Sequence, residues 1–246
     1  RTVRDGKPLV YLDNAATTQK PASVVKAVCE YYGTCNANVH RAFHYLAEQA
    51  TEHYEGVRRR VAMWIGAPAP EGVVFTRGTT ESVNLVAAAW GRGNVESGDR
   101  LIVTGMEHHS NLIPWQRLAQ SRGAELAVVP VREDGTLNLE VYETLLKGPV
   151  KLAAFSHGSN VLGTVNPARE MVRMAREAGA LTLVDAAQTV PHRPVSMGDL
   201  GCDFLAFSGH KMCAPTGIGI LAARPEHLDA MDPYQTGGEM IDSVTY

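Results

Sequence analysis

Short apolar runs rich in β-branched residues alternate along the chain with longer amphipathic stretches. The apolar runs predict seven strands, at residues 73–76, 100–104, 126–131, 151–155, 181–185, 204–207 and 217–222. The amphipathic stretches between them predict helices at residues 79–90, 111–122, 139–146 and 167–178. Strands that alternate with helices form βαβ units. The pattern therefore predicts an α/β fold with a mostly parallel central sheet and helices on both faces.

Two further helices are predicted ahead of the first of these strands, at residues 21–32 and 44–65. The longer helix should end at Gly66, Ala67 and Pro68, because glycine and proline do not extend a helix. The sequence has neither an internal repeat nor a low-complexity linker. Residues 9–221 are therefore predicted to form one domain.

The composition narrows the class of protein. Hydrophobic residues make up 45% and charged residues 20% of the 246 residues, as in an average soluble globular protein, and this excludes a disordered chain or a collagen-like repeat. The 23 Lys+Arg and 26 Asp+Glu residues give a formal charge of -3, whereas nucleic-acid binders usually carry a basic excess. No apolar run approaches the ~18 residues that a membrane span needs. We therefore expect neither nucleic acid nor a membrane among the partners.

The cysteines and the first residues bear on the compartment. Cys29, Cys35, Cys202 and Cys213 match no zinc-binding spacing, and four reduced thiols in a cytoplasmic protein are their simplest interpretation. The first seven residues are charged and lack an apolar core, so no signal peptide is predicted. We expect a cytoplasmic protein. Because the sequence begins with Arg1 rather than Met, we also expect its natural N-terminus to lie upstream.

Chemically active side chains follow five of the seven predicted strands. Ligands of open α/β sheets bind beyond the carboxyl ends of the strands, in loops that carry function. The side chains at these positions are Thr79 and Thr80; Glu107, His108 and His109; Ser156, His157 and Asn160; Asp185 and Gln188; and Ser208, His210 and Lys211. Packing alone does not explain such groups at five strand ends. The sequence therefore predicts a binding site at this edge of the sheet.

Two of these positions suggest how a charged ligand is held. The Gly78–Glu81 stretch opens a helix after a strand and could bind an anion, although helix capping by threonine is the commoner explanation. Asp185 ends an apolar strand, where a carboxylate is costly without a positive partner. A protonated ring nitrogen of a cofactor would serve, as would a salt bridge with arginine or lysine.

Two further positions suggest covalent and proton-transfer chemistry. A partly desolvated Lys211 amine would form a Schiff base, whereas most single lysines are merely solvated. His108 could stack on a flat cofactor and move protons. For His108 and His109, metal binding remains an alternative, although adjacent histidines lack the i, i+4 spacing of a helical zinc site. Helix capping by Ser110 or His109 is a third interpretation.

Several ordered motifs together carry a family resemblance. They occupy residues 11–16, 39–41, 77–81, 107–111, 114–116, 159–164, 184–188, 202–204, 207–211 and 215–219. On these residues the chain resembles the fold-type I, class V aminotransferase superfamily of pyridoxal-phosphate (PLP) enzymes, over about residues 9–243. The Arg-Gly-Thr-Thr-Glu form of 77–81 and the Glu-His-His form of 107–109 resemble the SUF-type (group II) cysteine desulfurases most.

The resemblance implies a role for each candidate residue. Around the ring, Lys211 would carry PLP as a Schiff base, Asp185 would pair with the ring nitrogen, Gln188 would bond the phenolate oxygen, and His108 would stack and take part in catalysis. The phosphate would be bound by Thr80, Ser208 and His210, with Thr79 nearby. The substrate would be held by His40 and Asn160. No metal is expected.

The resemblance also implies a reaction and partners. L-Cysteine would be converted to L-alanine, and its sulfur would pass as a persulfide to an acceptor protein for iron–sulfur cluster assembly. The enzyme would be a homodimer and could accept L-selenocysteine. A selenocysteine lyase, a kynureninase, an aminotransferase, or a catalytically incomplete PLP-binding fragment are the alternatives.

Some features depart from the family pattern. The sequence ends 35 residues after Lys211, whereas family members continue into a small C-terminal domain with the persulfide-forming cysteine and an arginine for the substrate carboxylate. None of the four cysteines aligns with that nucleophile. Met212, Cys213 and Ala214 stand where the family usually has an aromatic residue and a glycine. We therefore expect an N-terminal segment at 1–10 and a PLP-binding large domain at 11–246, without the small domain.

Overall fold

The computed structural model describes residues 3–40 and 43–238. The strands are β1 (Val3–Arg4), β2 (Lys7–Pro8), β3 (Val73–Thr76), β4 (Arg100–Thr104), β5 (Glu125–Val129), β6 (Val150–Ser156), β7 (Leu181–Asp185), β8 (Phe204–Ser208) and β9 (Gly219–Ala223). The helices are α1 (Ala22–Thr34), α2 (Tyr45–Trp64), α3 (Thr79–Leu85), α4 (Arg92–Asn94), α5 (Ile113–Arg122), α6 (Leu139–Leu146), α7 (Ala168–Glu177), α8 (Met197–Leu200) and α9 (Pro225–Asp229). Arg41 of the 39–41 motif and residues 239–246 of the expected large domain lie outside the described residues.

A seven-stranded sheet organises the fold. Its strand order is β3-β9-β8-β7-β6-β4-β5, and β1 pairs separately with β2. The neighbours from β8 through β7, β6 and β4 to β5 are parallel, whereas β9 runs antiparallel to both β3 and β8. The predicted mostly parallel sheet is confirmed, and all seven predicted strands belong to it.

The strand ends differ from prediction by at most two residues, for local reasons. β5 ends at Val129, because the next residue, Pro130, has no N–H to continue the ladder. β9 begins at Gly219 rather than at residue 217, because Gly217 has a φ of 83° and stands in the left-handed region.

The helix at 79–90 is longer and less regular than predicted. α3 passes into a π-helical turn at Val86–Gly91 and then into α4, so the helical segment ends at Asn94. At Gly91 a Cβ would lie 2.4 Å from Leu118 Cδ2, so α5 packs against this turn at the glycine. The π-helical turn therefore belongs to the contact between the two helices.

Buried side chains fill both faces of the sheet. Along β4, Leu101 and Val103 face one cluster together with Trp115 of α5, whereas Ile102 faces the other together with Met171 of α7. Each such apolar side chain stabilises the fold by about 2 kcal/mol relative to its exposed state. The expectation of helices on both faces is thereby confirmed. Among the described residues, no helix combines the length and apolar character needed to cross a bilayer.

Candidate active site

A cavity of about 410 Å³ opens at the carboxyl ends of the parallel strands. Its walls are formed by Asp13, Ala15, Ala16, Thr79, Thr80, His108, Ser110, Asn160, Asp185, Ala187, Ser208, His210 and Lys211. Eight of the ten residues predicted for the site lie in this wall, all except Gln188 and His40. They converge because the ends of β7, β6 and β4 are neighbours, with Ser156 of β6 in register with Asp185 of β7.

Asp185 is the buried acid of the cavity. It ends β7, is 5% exposed, and accepts a hydrogen bond from the backbone N–H of Ala187 at 2.9 Å. Burial raises the pKa of the carboxyl, while the Ala187 bond and the positive charge of Lys211 act in the opposite direction. A carboxylate in this position is stabilised by any cation that enters the cavity.

Lys211 is the amine of the cavity. It lies half-buried in the 3-10 turn Gly209–Lys211 that directly follows β8. Burial lowers the pKa of its amine, and the negative charge of Asp185 offsets part of that effect. The neutral, nucleophilic form of Lys211 is thus more accessible than in a solvated lysine.

His108 is held in one tautomer by the loop that follows β4. Its Nδ1 accepts a hydrogen bond from the backbone N–H of Ser110 at 3.1 Å, so the neutral ring carries its proton on Nε2. Burial lowers the pKa of His108, and the positive charges of Lys211 and His109 lower it further, against the opposing effect of Asp185. The imidazole is therefore neutral at neutral pH.

Four side-chain hydroxyls and a backbone amide connect the strand ends on one side of the cavity. Ser208 Oγ accepts from the backbone N–H of Thr79 at 2.8 Å and lies 2.7 Å from Thr79 Oγ1. Thr80 Oγ1 lies 2.7 Å from Ser110 Oγ. β9 passes directly behind this turn, since a Cβ on Gly219 would lie 2.4 Å from the Gly78 Cα. Glycine at residue 219 thus allows the close approach that forms this wall.

The structure places the other two predicted residues elsewhere. Gln188 Nε2 donates to the carbonyl of Ala15 at 2.8 Å. His40 Nε2 lies 3.0 Å from Glu55 Oε1, and the His40 backbone N–H donates to Thr51 Oγ1. Two roles stay predictions: Gln188 as the partner of a ring oxygen, and His40 as a substrate contact.

Sequence reasoning assigned no site role to Asp13, Ala15, Ala16, Ala187 or Ser110. The first three belong to an irregular segment without apolar periodicity, so the one signal for them was the family motif at 11–16. For Ser110 the sequence suggests only a helix cap. Its hydroxyl lies between Thr80 and His108, which are brought together only by the fold.

The metal alternative for the histidine pair finds no support in the geometry. Among residues 3–40 and 43–238, no three His, Cys, Asp or Glu side chains are grouped so that they could hold a metal ion. His108 Nδ1 lies 2.9 Å from Ser110 Oγ, and the charged groups that act on its ring are those of Lys211, Asp185 and His109.

Curated relatives at about half identity match nearly the whole chain. A probable cysteine desulfurase of Halalkalibacterium halodurans is 50% identical over 240 residues, and a cysteine desulfurase of Escherichia coli is 51% identical over 241. Each match covers 98% of this chain and 59% of the relative. The chain thus spans about three-fifths of the length of these relatives.

Solved structures are similar in fold over the same share. The apo structure of a cysteine desulfurase from Thermococcus onnurineus has a TM-score of 0.91 at 45% identity, covering 96% of this chain and 58% of that one. The Escherichia coli cysteine desulfurase CsdA has a TM-score of 0.88 at 39% identity, covering 96% and 59%.

A family model places these similarities in one class. The model for class-V aminotransferases matches residues 10–246, which include every residue that lines the cavity. With this match and the α/β architecture described above, the chain belongs to the class-V aminotransferase family, whose members depend on PLP.

Proposed function

We propose that the chain is the PLP-binding part of a cysteine desulfurase that converts L-cysteine to L-alanine. The observation that carries the proposal is the joint placement of the Asp185 carboxylate and the Lys211 amine in one cavity. The names of the relatives at about 50% identity support the substrate. The Arg-Gly-Thr-Thr-Glu and Glu-His-His motifs favour the SUF-type (group II) branch.

The residues of the cavity fit PLP group by group. PLP has an aldehyde, a ring nitrogen that is cationic when protonated, and a phosphate. Lys211 provides an amine of lowered pKa for the aldehyde, and buried Asp185 provides a carboxylate for the ring nitrogen. Thr80, Ser208 and His210 provide donors for the phosphate. When bound, PLP would supply an electron sink for the substrate Cα.

The protein side of the reaction follows from these charges. Asp185 would keep the ring nitrogen protonated, because a buried carboxylate stabilises an adjacent cation. His108, with its proton on Nε2 and its Nδ1 bonded to Ser110, would stack on the ring and offer that proton to the substrate. Asn160 lines the cavity beside them and would hold the substrate, with His40 as the second predicted contact.

The sulfur-accepting thiol is proposed to belong to the part of the relatives that this chain does not span. Cys202 is unsuited to the role, because burial raises the pKa of its thiol to about 12 and it is 1% exposed. Cys213 is exposed near Lys211, but the family resemblance gives no role to a cysteine at that position. We propose residues 11–246 as the PLP-binding large domain and 1–10 as an N-terminal segment.

The partners are proposed on the same family resemblance. They are a sulfur-acceptor protein for iron–sulfur cluster assembly and a second copy of the chain in a cytoplasmic homodimer. L-Selenocysteine is proposed as a further substrate. A selenocysteine lyase differs only in the relative rates with the two substrates, so competition between them measures the preference.

The cofactor test uses borohydride reduction. The full-length protein with PLP should be yellow, and borohydride should fix the cofactor on the peptide that contains Lys211. Lys211→Ala should abolish this label and all turnover while the far-UV circular dichroism is unchanged. Lys147→Ala, an exposed lysine, is the control. A label on another peptide would overturn the assignment.

The reaction test uses L-cysteine with the full-length protein. Alanine and sulfide should be released in equal amounts in the presence of a reductant. Kynureninase or aminotransferase activity would instead require another substrate or a keto acid. If pyruvate or glutamate is the sole product, the desulfurase proposal fails.

A further inference from the structure

One peptide oxygen beside the active-site lysine receives four hydrogen bonds from a distant segment. The carbonyl oxygen of His210 accepts from the backbone N–H of Thr18 at 2.9 Å and from Thr18 Oγ1 at 3.0 Å. It also accepts from Thr17 Oγ1 at 3.2 Å and from Lys20 Nζ at 3.1 Å. The side-chain donors are separated from His210 by 190 to 193 residues.

The His210 carbonyl oxygen belongs to the peptide group that precedes Lys211. The His210 carbonyl carbon is bonded directly to the backbone nitrogen of Lys211. On the other side of Lys211, the backbone N–H of Cys213 donates to Thr18 Oγ1 at 2.8 Å. A single threonine hydroxyl therefore bridges the backbone before and after the lysine. Lys20 Nζ also donates to the Thr18 carbonyl at 2.6 Å, which joins the donors to one another.

The loop that carries Lys211 is stabilised by few hydrogen bonds within the loop itself. Within the turn, Gly209 O accepts from the backbone N–H groups of Met212 and Ala214 at 2.9 and 3.0 Å. Cys213 has a φ of 69°, a left-handed conformation that a non-glycine residue adopts at a cost in free energy. Such a conformation persists only when the surroundings impose it.

The ammonium of Lys20 also acts on the charge of the site. Burial lowers the pKa of His210, and the positive charges of Lys211 and Lys20 lower it further. A neutral His210 faces the cavity as a hydrogen-bonding group. The donors at residues 17–20 thus affect both the backbone and the electrostatics of the Lys211 loop.

We propose that Thr18 and Lys20 are positioning residues that fix the backbone of Lys211 so that its amine faces the cavity. The alternative is that these contacts merely fasten the N-terminal segment to the domain. The proposal rests on the function proposed for Lys211, but the position of the backbone can be measured without the cofactor. The two ideas therefore fail separately.

The first test is hydrogen exchange of the full-length protein freed of PLP. Thr18→Val removes the hydroxyl, which leaves the Cys213 amide without its acceptor. Exchange at residues 212–214 should be about tenfold faster than in the wild type, and β8 should be unchanged. Thr34→Val removes a hydroxyl that donates to Glu30 O within α1 and should leave residues 212–214 unchanged. Wild-type exchange at 212–214 in Thr18→Val would overturn the proposal.

A conservative pair protects the test against simple misfolding. Thr18→Ser keeps the hydroxyl and should restore slow exchange at 212–214. If Thr18→Val is unfolded, Lys20→Met takes its place, with the exposed Lys26→Met as its control. Equal acceleration in β7, β8 and the loop would assign a structural role only and would also overturn the proposal.

The second test measures attachment of PLP to Lys211 in the same variants. The rate at which borohydride-stable label forms on the Lys211 peptide should fall several-fold in Thr18→Val and Lys20→Met, with wild-type label at saturation. If the wild type takes no label at Lys211, the proposed function fails, while the exchange result still decides the role of Thr18.

Discussion

The two walls of the cavity are held in different ways. The His108 wall consists of residues 104–111 with Ser156, and its contacts are mostly local. The Lys211 wall consists of residues 208–213 with residues 17–20, and its contacts join segments separated by 190 to 193 residues. One wall depends on a buried carboxyl group and the other on long-range hydrogen bonds, so different perturbations should affect each wall separately.

Glu107 organises the His108 wall. Its carboxylate accepts from Thr104 Oγ1, from Ser156 N and Oγ at 2.9 and 2.7 Å, and from Asn111 Nδ2 at 2.7 Å. The backbone N–H of Asn111 in turn donates to the His108 carbonyl at 2.8 Å. Every partner of the carboxylate is uncharged, and burial raises the pKa of Glu107 to about 7.

The Lys211 wall is not organised around a buried side chain as the His108 wall is around Glu107. Its fixed point is the His210 carbonyl, and the donors to that oxygen come from residues 17–20. The catalytic groups of one cavity can thus be positioned by separate sets of contacts. A change in Glu107 should leave the Lys211 loop intact, and a change in Thr18 should leave His108 intact.

The largest effect is expected from Asp185→Asn, because Asp185 lies between the two walls and acts on both. Its negative charge raises the pKa of His108 and of Lys211, so its loss lowers both pKa values. The Asp185→Asn variant would also lack the carboxylate that pairs with the ring nitrogen, and its turnover of L-cysteine should fall by about 100-fold or more. Steady-state alanine release measures the loss, with the exposed Asp199→Asn as control. An unchanged rate would remove Asp185 from the mechanism.

Glu107→Gln should break the His108 wall alone. The new amide nitrogen would face Asn111 Nδ2, a donor that cannot turn around, because Asn111 Oδ1 already accepts from Trp115 Nε1 at 3.0 Å. We expect a loss of about 2 kcal/mol in the free energy of unfolding, measured by urea denaturation. The exposed Glu143→Gln is the matched control.

Hydrogen exchange in Glu107→Gln tests whether the two walls are independent of each other. Residues 212–214 should exchange as in the wild type, because the donors at 17–20 are untouched. Faster exchange there would mean that the two walls are coupled and that the division between them is wrong.

The stability of the wild type should depend on pH through Glu107. Its pKa of about 7 in the folded protein exceeds the ordinary value of 4.5, so the folded state binds a proton that the unfolded state has released. The free energy of unfolding should therefore fall as the pH rises from 4.5 to 7, by about 3 kcal/mol, and stay low above that. Urea titrations at several pH values measure the fall. The fall should be absent from Glu107→Gln and present in Glu143→Gln, which keeps the acid at residue 107.

The smallest effect is expected at Cys213. Its φ of 69° suits glycine, so Cys213→Gly should stabilise the protein by about 0.5–1 kcal/mol despite the greater freedom of glycine in the unfolded chain. Cys29→Gly, within α1, should instead destabilise it by a similar amount. Thermal unfolding measures both. A Cys213→Gly variant that is less stable than the wild type would show that the thiol makes a contact worth more than the strain.

Much of the fold was predictable because its signals are local. The runs at 100–104 and 181–185 are observed with the predicted ends, since a buried strand needs consecutive apolar residues and a polar residue can follow only where the strand leaves the core. The π-helical turn after α3 was not predicted, because its residues have ordinary helix patterning and Leu118 of α5 packs against Gly91 of the turn.

The residues of the candidate site were likewise predictable only where they have a local signal in the sequence. Asp185 and Lys211 were found because each is a charged residue directly after an apolar strand. The wall residues Asp13 and Ser110 were assigned no site role, and Gln188 was expected at a ring oxygen rather than at Ala15. These contacts join segments that have no periodic pattern and no charge signal, and their partners depend on where the chain returns.

The strands, the mostly parallel sheet and the chemical groups at the strand ends follow from local sequence, because burial and backbone pairing act over a few neighbouring residues. Three features depend on how the whole domain packs: the strand order that brings β4, β6 and β7 together, the pairing of His40 with Glu55, and the return of residues 17–20 to the His210 carbonyl. Contacts across up to 193 residues depend on the packing of the whole domain, and no short stretch of sequence encodes them.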